Sequence, residues 1–333
     1  MSYHSRMTRP AFNTVQYPTR NSRARAVLLL CSVLASFIVS FVAQPASAQD
    51  KSGRLKVVAT FSILGDLARN VGGDRADVAT LVGSNSDIHV YTPTAADAQS
   101  VRSARLLIVN GLGLEGWLPR LIESSGSKAS VVTASNGVAP RKIDASELLS
   151  RHHEPGSLDP HAWQSVANVA IYVANIRDAM VAADPANADI YKANADAYLA
   201  ILKRLDHDIH DAVAQIPPDR RKVISTHAAF GYFAGAYGIA FLAPQDVSTD
   251  SEPSARDIAS LITQIKAEKI PAVFLENISD PRLIRQIASE SGAAVGGTLY
   301  SDSLTGADGE APTYIELMGH NIKTIVSALA NRP

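Results

Sequence analysis

The chain has 333 residues, 46% hydrophobic and 19% charged, with a formal net charge of −1. This globular composition supplies a real core without a disulfide framework, and the length suits one large domain or two ordinary ones.

Residues 1–48 differ from the rest. Arg6, Arg9, Arg20, Arg23 and Arg25 come with no acidic residue, and residues 26–42 (AVLLLCSVLASFIVSFV) are almost wholly apolar. Ala46-Ser47-Ala48 then offers the small residues of a signal-peptidase site. The pattern predicts a secretory signal peptide over 1–48, cleaved after Ala48. An uncleaved membrane anchor is the competing reading, because the apolar run is near the lower length that spans a bilayer. The Ala-Ser-Ala site favours cleavage. The single cysteine, Cys31, follows Leu30 rather than the small residue that lipidation prefers, which argues against a lipid anchor. Cleavage removes five of the 31 basic residues and leaves 26 against 32 acidic ones, a net charge of −6. That balance argues against nucleic acid as a partner. A mature chain without cysteine forms neither a disulfide nor a thiolate metal site. No second segment reads as long and apolar enough to span a membrane.

Short β-rich runs then alternate with helical patterns. Residues 55–61 (LKVVATF), 78–82, 106–109 and 130–133 read as strands, and 63–71, 93–103 and 114–125 as helices. Such alternation predicts βαβ units and a parallel sheet. An all-helical stretch comes next. Asp184-Pro185 predicts a helix start, with the acid as N-cap and the proline in the first turn. Tyr191, Ala195, Tyr198, Leu202, Leu205, Ile209, Val213 and Ile216 recur at spacings of three and four until Pro217-Pro218. A helix of that span is about 45 Å long, a stiff strut. Beyond it, 222–226, 239–242, 272–275 and 293–298 read as strands, and 229–237, 254–269 and 280–291 as helices. The expected fold class is α/β: two similar (β/α) lobes with mainly parallel sheets, joined by one long rigid helix. The expected divisions are 1–48 signal peptide, 49–183 first lobe, 184–216 linking helix and 217–333 second lobe.

Eight of the nine histidines lie beyond the signal peptide. His152 and His153 sit in a polar RHHEPGS loop, His207 and His210 on the polar face of the long helix, and His320 in a C-terminal helix. These read as solvated or locally bonded. His89, His161 and His227 differ, because each occupies a loop beside a predicted strand or before a helix. Open parallel sheets collect ligands outside the carboxyl ends of their strands. Asp302 lies just past the last predicted strand. On spacing alone it reads as a cap or turn, and Glu276, at the end of the 272–275 run, is a rival carboxylate from the same edge.

Several segments, taken in order, carry a resemblance. They are VVATFSILGDLARNVGGD at 57–74, the His89 loop with Tyr91-x-Pro93, NGLGLEGW at 110–117 and LDPHAW at 158–163. STHAAFGYFAGAYG at 225–238, DSEPSARDI at 250–258, LYSDSL at 299–304 and PTYIELMGHN at 312–321 complete the set. Together they resemble the zinc- and manganese-binding solute-binding proteins of bacterial ABC importers, the group that includes the metal-binding adhesins. The resemblance covers nearly all of the mature chain. It implies two α/β lobes joined by a long helix, with one metal held between them by His89, His161, His227 and Asp302. The chain departs from many zinc importers of this group in one place. Where they carry a long histidine-rich acidic loop, it has only His152-His153-Glu154. It also reads Asp-Ile-His at 87–89 where Asp-Pro-His is commoner.

Three imidazoles and a carboxylate suit zinc, whereas manganese prefers a shell richer in oxygen. Manganese-binding members of the resembled family usually place a carboxylate at the His227 position. The expected cargo is therefore Zn2+, with a Mn2+ binder of the same transporter class as the alternative. A secreted zinc hydrolase is the rival from another class. Against it stand the absent His-Glu-x-x-His pairing, the lack of a positioned general base, and a fourth protein ligand where a catalytic water would bind. The expectation is a monomeric periplasmic protein, not an enzyme, that hands metal to an ABC permease. A periplasmic metallochaperone is a candidate second partner. The stiff helix argues against wide closure, so release is expected through local opening of the loop carrying His89 or Asp302.

Overall fold

The computed structural model describes residues 53–143 and 157–330. The expected signal peptide with Cys31, and His152, His153 and Glu154, lie outside the described residues.

Parallel strands buried on both faces read as near-continuous apolar runs, and β1 (Leu55–Phe61) is one of these. With β2 (Ala76–Val82), β3 (Leu106–Val109) and β4 (Ser130–Thr133) it forms a sheet of order β2-β1-β3-β4. A second sheet, from β5 (Lys222–Ile224), β6 (Ala240–Leu242), β7 (Ala272–Glu276) and β8 (Ala294–Leu299), repeats that order as β6-β5-β7-β8. Every pairing within these two sheets is parallel. Val57 stands opposite Val78 and Leu106, and Ile224 opposite Leu242 and Val273. The expected α/β class with parallel sheets is what the chain forms.

Helices α1 (Ser62–Gly72), α2 (Ala95–Ser103) and α3 (Leu118–Ser125) belong to the first sheet, and α6 (Gly231–Tyr237), α7 (Ala255–Glu268) and α8 (Arg282–Ser291) to the second. Capping boxes fix two helix starts. Thr94 and Asp97 exchange hydrogen bonds before α2, as Ser254 and Asp257 do before α7. Two elements fall short of their expected limits, for the same reason. The 114–125 helix begins only at Leu118, because the Glu115 carboxylate turns inward to accept Asn110 N–H at 2.6 Å and the Thr60 hydroxyl at 2.8 Å. Strand β5 stops at Ile224, because Thr226 and His227 donate their N–H groups to Glu276 instead of a neighbouring strand.

Two helices cross between the sheets. The linking helix α5 (Ala188–Ala214) has 27 residues, about 40 Å, and buries the expected stripe from Tyr191 to Val213. It starts later than Asp184-Pro185 implies. Pro185 opens a 3-10 turn, and the Asp184 carboxylate accepts from Asn187 Nδ2 and the Tyr191 hydroxyl rather than capping a helix. Helix α4 (Val166–Ala183) precedes it and has no counterpart among the expected elements. By length and composition alone it is apolar enough to cross a membrane, which corrects the expectation that no second such segment exists. Its Val166, Val169, Tyr172, Val173, Ile176 and Met180 are buried, and it packs along α5 and α1 as a core helix.

The C-terminal helix α9 (Tyr314–Leu329) also lies on α5. One hydrophobic core therefore runs through both halves, joining Phe61, Trp163 and Tyr172 to Phe233, Tyr314 and Leu329. Smaller clusters fill the outer face of each sheet. Polar bonds reinforce the join. The α1 carboxylate Asp66 accepts the Tyr314 N–H at 2.9 Å, at the start of α9. The Tyr314 hydroxyl donates to the Trp163 carbonyl at 2.7 Å, and Trp163 Nε1 donates to the Ser301 carbonyl at 2.9 Å. Asp66→Ala leaves a buried helix-terminal N–H without this acceptor, so it is expected to cost about 1–3 kcal/mol. Urea denaturation with an unchanged m-value is the check, and a loss under about 0.5 kcal/mol would deny Asp66 this role.

Candidate metal centre

The three histidines and Asp302 all emerge beyond the carboxyl ends of parallel strands, where an α/β sheet gathers ligands. His89 comes after β2, His161 lies beyond β4, His227 comes after β5 and Asp302 after β8. Local turns aim the two histidines of the first lobe by one device. Asp87 Oδ1 accepts the His89 N–H at 2.8 Å, and Asp159 Oδ1 accepts the His161 N–H at 2.9 Å. An aspartate bonding two residues ahead closes a tight turn and holds the intervening peptide. In the second lobe, Phe230 stacks on Phe241 with ring centroids 4.6 Å apart, and Phe233 packs on Tyr237, which seats α6 behind the His227 loop. A bulge shapes the approach to Asp302. Register shifts between Val273 and Leu275, which gives β8 one extra residue at Gly296-Gly297. A bulge re-aims the chain beyond it, and Asp302 stands three residues past the end of this strand.

The structure brings all four residues together. One donor atom from each lies within 4.8 Å of every other. His89 Nε2 is 3.2 Å from Asp302 Oδ2 and 3.3 Å from His161 Nε2. His227 Nε2 is 3.1 Å from Asp302 Oδ2, and His161 Nε2 is 3.6 Å from Asp302 Oδ1. His161, His227 and Asp302 are buried, and the His89 side chain is only 4% exposed. His227 Nε2 and Asp302 Oδ1 make no hydrogen bond among the described residues. Buried polar atoms normally find partners, so these two, facing one point, have the form of cation ligands.

Carboxylates stand behind two of the rings. His161 Nδ1 is 2.9 Å from Asp159 Oδ1, and His227 Nδ1 is 2.6 Å from Glu276 Oε2. Such partners hold the proton on Nδ1 and turn the Nε2 lone pair to the centre. Glu276 also accepts Thr226 N–H at 2.7 Å and His227 N–H at 3.0 Å on its other oxygen. It therefore orients His227 from behind and does not compete with Asp302 at the front. Asp159, behind His161, is not among the candidate site residues named from the sequence. Its signal is present, since Asp-x-His occurs at both 87–89 and 159–161.

Electrostatics give the cluster an appetite for positive charge. Burial pushes the His227 imidazole down, but the charges of Glu276 and Asp302 outweigh it and hold its pKa well above the ordinary value. His161 is raised in the same way, with Asp302 and Asp159 outweighing burial. Burial pushes Asp302 up, yet His227 and His161 hold it well below the usual carboxylate range.

The other described histidines are elsewhere. His207 sits on the exposed side of α5 within 3.5 Å of Asp211, and the His210 ring packs edge-on against Tyr237. His320 bonds the Thr298 carbonyl at 3.0 Å.

Comparison with known proteins agrees with this fold. The family of the periplasmic zinc-uptake complex component A (ZnuA) matches residues 57–328. The manganese-binding lipoprotein MntA of Halalkalibacterium halodurans is 37% identical over 306 residues, covering 90% of this chain and 99% of its own. The iron-binding protein YfeA of Yersinia pestis is 35% identical over 302 residues, covering 90% of this chain and 95% of its own. The structure of the periplasmic zinc-binding protein TroA of Treponema pallidum superposes with a TM-score of 0.76 at 31% identity, covering 84% of this chain and all of its own. MntA is named a lipoprotein, so the relatives lend no support to the expected lack of a lipid anchor. The chain belongs to the ZnuA family of metal-binding solute-binding proteins of ABC importers, and is a component of transport rather than an enzyme.

Proposed function

We propose that this protein captures one Zn2+ ion on His89, His161 and His227, each through Nε2, and on the Asp302 carboxylate, and delivers it to an ABC permease. The reading rests on one observation above others: four donors from four separate loops converge within 4.8 Å. The donor chemistry supports zinc, since imidazole suits it and a buried four-donor shell matches its tetrahedral habit. Manganese is the second reading, favoured by the name of the MntA relative. In the proposed form the signal peptide is removed after Ala48 and the protein works in the periplasm as a monomer.

The same packing supports a small opening for loading and release. The Asp302 loop is held at many points. Asn321 exchanges two hydrogen bonds with Tyr300, Gln164 Nε2 donates to the Ser301 carbonyl at 2.7 Å, and Leu304 N–H donates to Ser62 Oγ at 2.9 Å. The His89 loop hangs on fewer. Ser86 N–H reaches Ser303 Oγ at 3.3 Å, Trp117 Nε1 reaches the Ile88 carbonyl at 3.1 Å, and the Thr249 hydroxyl reaches Asp87 at 2.5 Å from the other lobe. Val90 beside it is 53% exposed. Of the two loops considered, the one carrying His89 is therefore proposed to yield. Hydrogen exchange should be faster over residues 86–91 without zinc than with it, and unchanged over 299–305. Equal changes in both loops would contradict this assignment.

His227→Ala removes a donor outright. Partners standing behind a ligand are already worth about 10–100-fold in affinity, so the loss here is expected to exceed about 100-fold in a chelator competition. An unchanged zinc affinity would exclude His227 from the shell.

Protons and metal compete for the same nitrogens. Because His161 and His227 are raised above about 6.5, zinc binding should release protons at pH 7, and affinity should fall steadily from pH 8 downward. The stability of the metal-free fold runs the other way. A raised imidazole stabilises below its unfolded value of about 6.5, and that contribution is lost as pH rises through the folded value. Metal-free protein should therefore melt lower at pH 8 than at pH 6.5, while zinc binds more tightly. Titration calorimetry in buffers of different ionisation enthalpy reads the proton release. An affinity flat from pH 8 to pH 5 would contradict three histidine ligands.

A further inference from the structure

Behind His161 the structure continues outward in a way that His227 does not share. Glu276, behind His227, is held by two backbone N–H groups. Asp159, behind His161, is fully buried and meets a guanidinium, with Arg141 Nη1 at 3.1 Å from its Oδ2. The two residues face each other on a short antiparallel ribbon. Asp159 N–H donates to the Arg141 carbonyl at 2.9 Å, and Lys142 pairs with Leu158. The Arg141 N–H in turn donates to the Tyr232 hydroxyl at 2.8 Å, in the other lobe. Gly231, the first residue of α6, lies against the pair. A Cβ there would collide with the Arg141 guanidinium and stand 2.6 Å from Asp159 Oδ2.

We propose that Arg141 is a positioning residue for the metal site, acting through Asp159 on His161, and that Gly231 is the close-approach position that admits its guanidinium. This rests on the zinc-site reading above and extends it. Arg141 Nη1 holds Asp159 Oδ2 and so fixes the plane of that carboxylate, which keeps Oδ1 against His161 Nδ1 and turns Nε2 toward the cation. Without Arg141 the carboxylate loses this anchor and the imidazole loses part of its fixed orientation, which weakens zinc binding. Arg141 thus joins the supports of the two lobes' ligands: His161 through Asp159, and the helix after His227 through Gly231 and Tyr232.

The test measures Zn2+ affinity by chelator competition for wild type, Arg141→Ala, Arg141→Lys, Gly231→Ala and the Arg141→Ala/Gly231→Ala double variant. Nitrogen-15 NMR of the zinc-loaded proteins reads the Nδ1–H of His161. Arg141→Ala should bind zinc about 10–100-fold more weakly and lose the slowly exchanging Nδ1–H signal. Added methylguanidinium should restore much of both. Lysine should restore less, because it lacks the planar fork. The Gly231→Ala methyl crowds both the guanidinium and the Asp159 carboxylate, so its loss should at least match that of Arg141→Ala, and the double variant should lose less than the sum of the two. Additive losses, an intact Nδ1–H signal or no rescue would mark a merely structural role and overturn the inference. So would affinities within about twofold of wild type. If Arg141→Ala does not fold, Arg141→Lys and Gly231→Ala carry the same comparison. A wild-type protein that binds no zinc would instead defeat the functional reading itself, and this inference with it.

Discussion

Asp302 is a carboxylate buried among three imidazoles, with Asp159 and Glu276 buried just behind two of them. Placing that many ionisable groups away from water is costly unless positive charge accompanies them. The arrangement is tolerable with protons on the imidazoles, and a divalent cation meets the same demand at one point. Proton and metal are thus alternative occupants of one electrostatic need. The raised imidazoles and depressed Asp302 express that need in the protein itself.

Holding such a cluster together requires a frame that does not spread. The two sheets have the same strand order, and each sends its ligand loops from its carboxyl end. They are not independent bodies swinging on a helix. A single core passes through both halves, and α1, α4, α5 and α9 pack within it. Asp66 of α1, holding the Tyr314 N–H at the start of α9, and Trp163 on the Ser301 carbonyl tie the halves from opposite directions. Wide closure of the kind seen in flexible two-domain binders would break this core. Local yielding of the less-tethered of the His89 and Asp302 loops needs only a few bonds to change, which is why the His89 turn carries the proposed motion.

Much of this is legible in the sequence, and the parts that are not have physical causes. The strands read well because parallel, doubly buried strands are apolar runs of β-formers, as in LKVVATF. The α5 stripe reads well because its seven buried residues keep strict helical spacing. Helix α4 escapes notice, because its other face is rich in alanine and the stripe from Val166 to Met180 stands out poorly against it. The Asp184-Pro185 signal is real but serves a tyrosine hydroxyl instead of a cap. At the site, three histidines stand out by their place beside strands, while Asp302 owes its selection to the family resemblance. The residues behind the ligands are the hardest to see. Asp159, Arg141 and Glu276 lie 2, 20 and 49 residues away in sequence from the imidazole they stand behind, and only the folded chain shows which oxygen meets which nitrogen.

The central claim is that this buried set of three imidazoles and one carboxylate selects zinc. The most direct measurement is to strip the purified protein of metal, dialyse it against equal Zn2+ and Mn2+, and count bound metal per chain by elemental mass spectrometry. One zinc per chain with little manganese is the predicted result. Manganese in the site would contradict the choice of metal while leaving the transport role intact, and a protein that retains neither ion would contradict the account of the site.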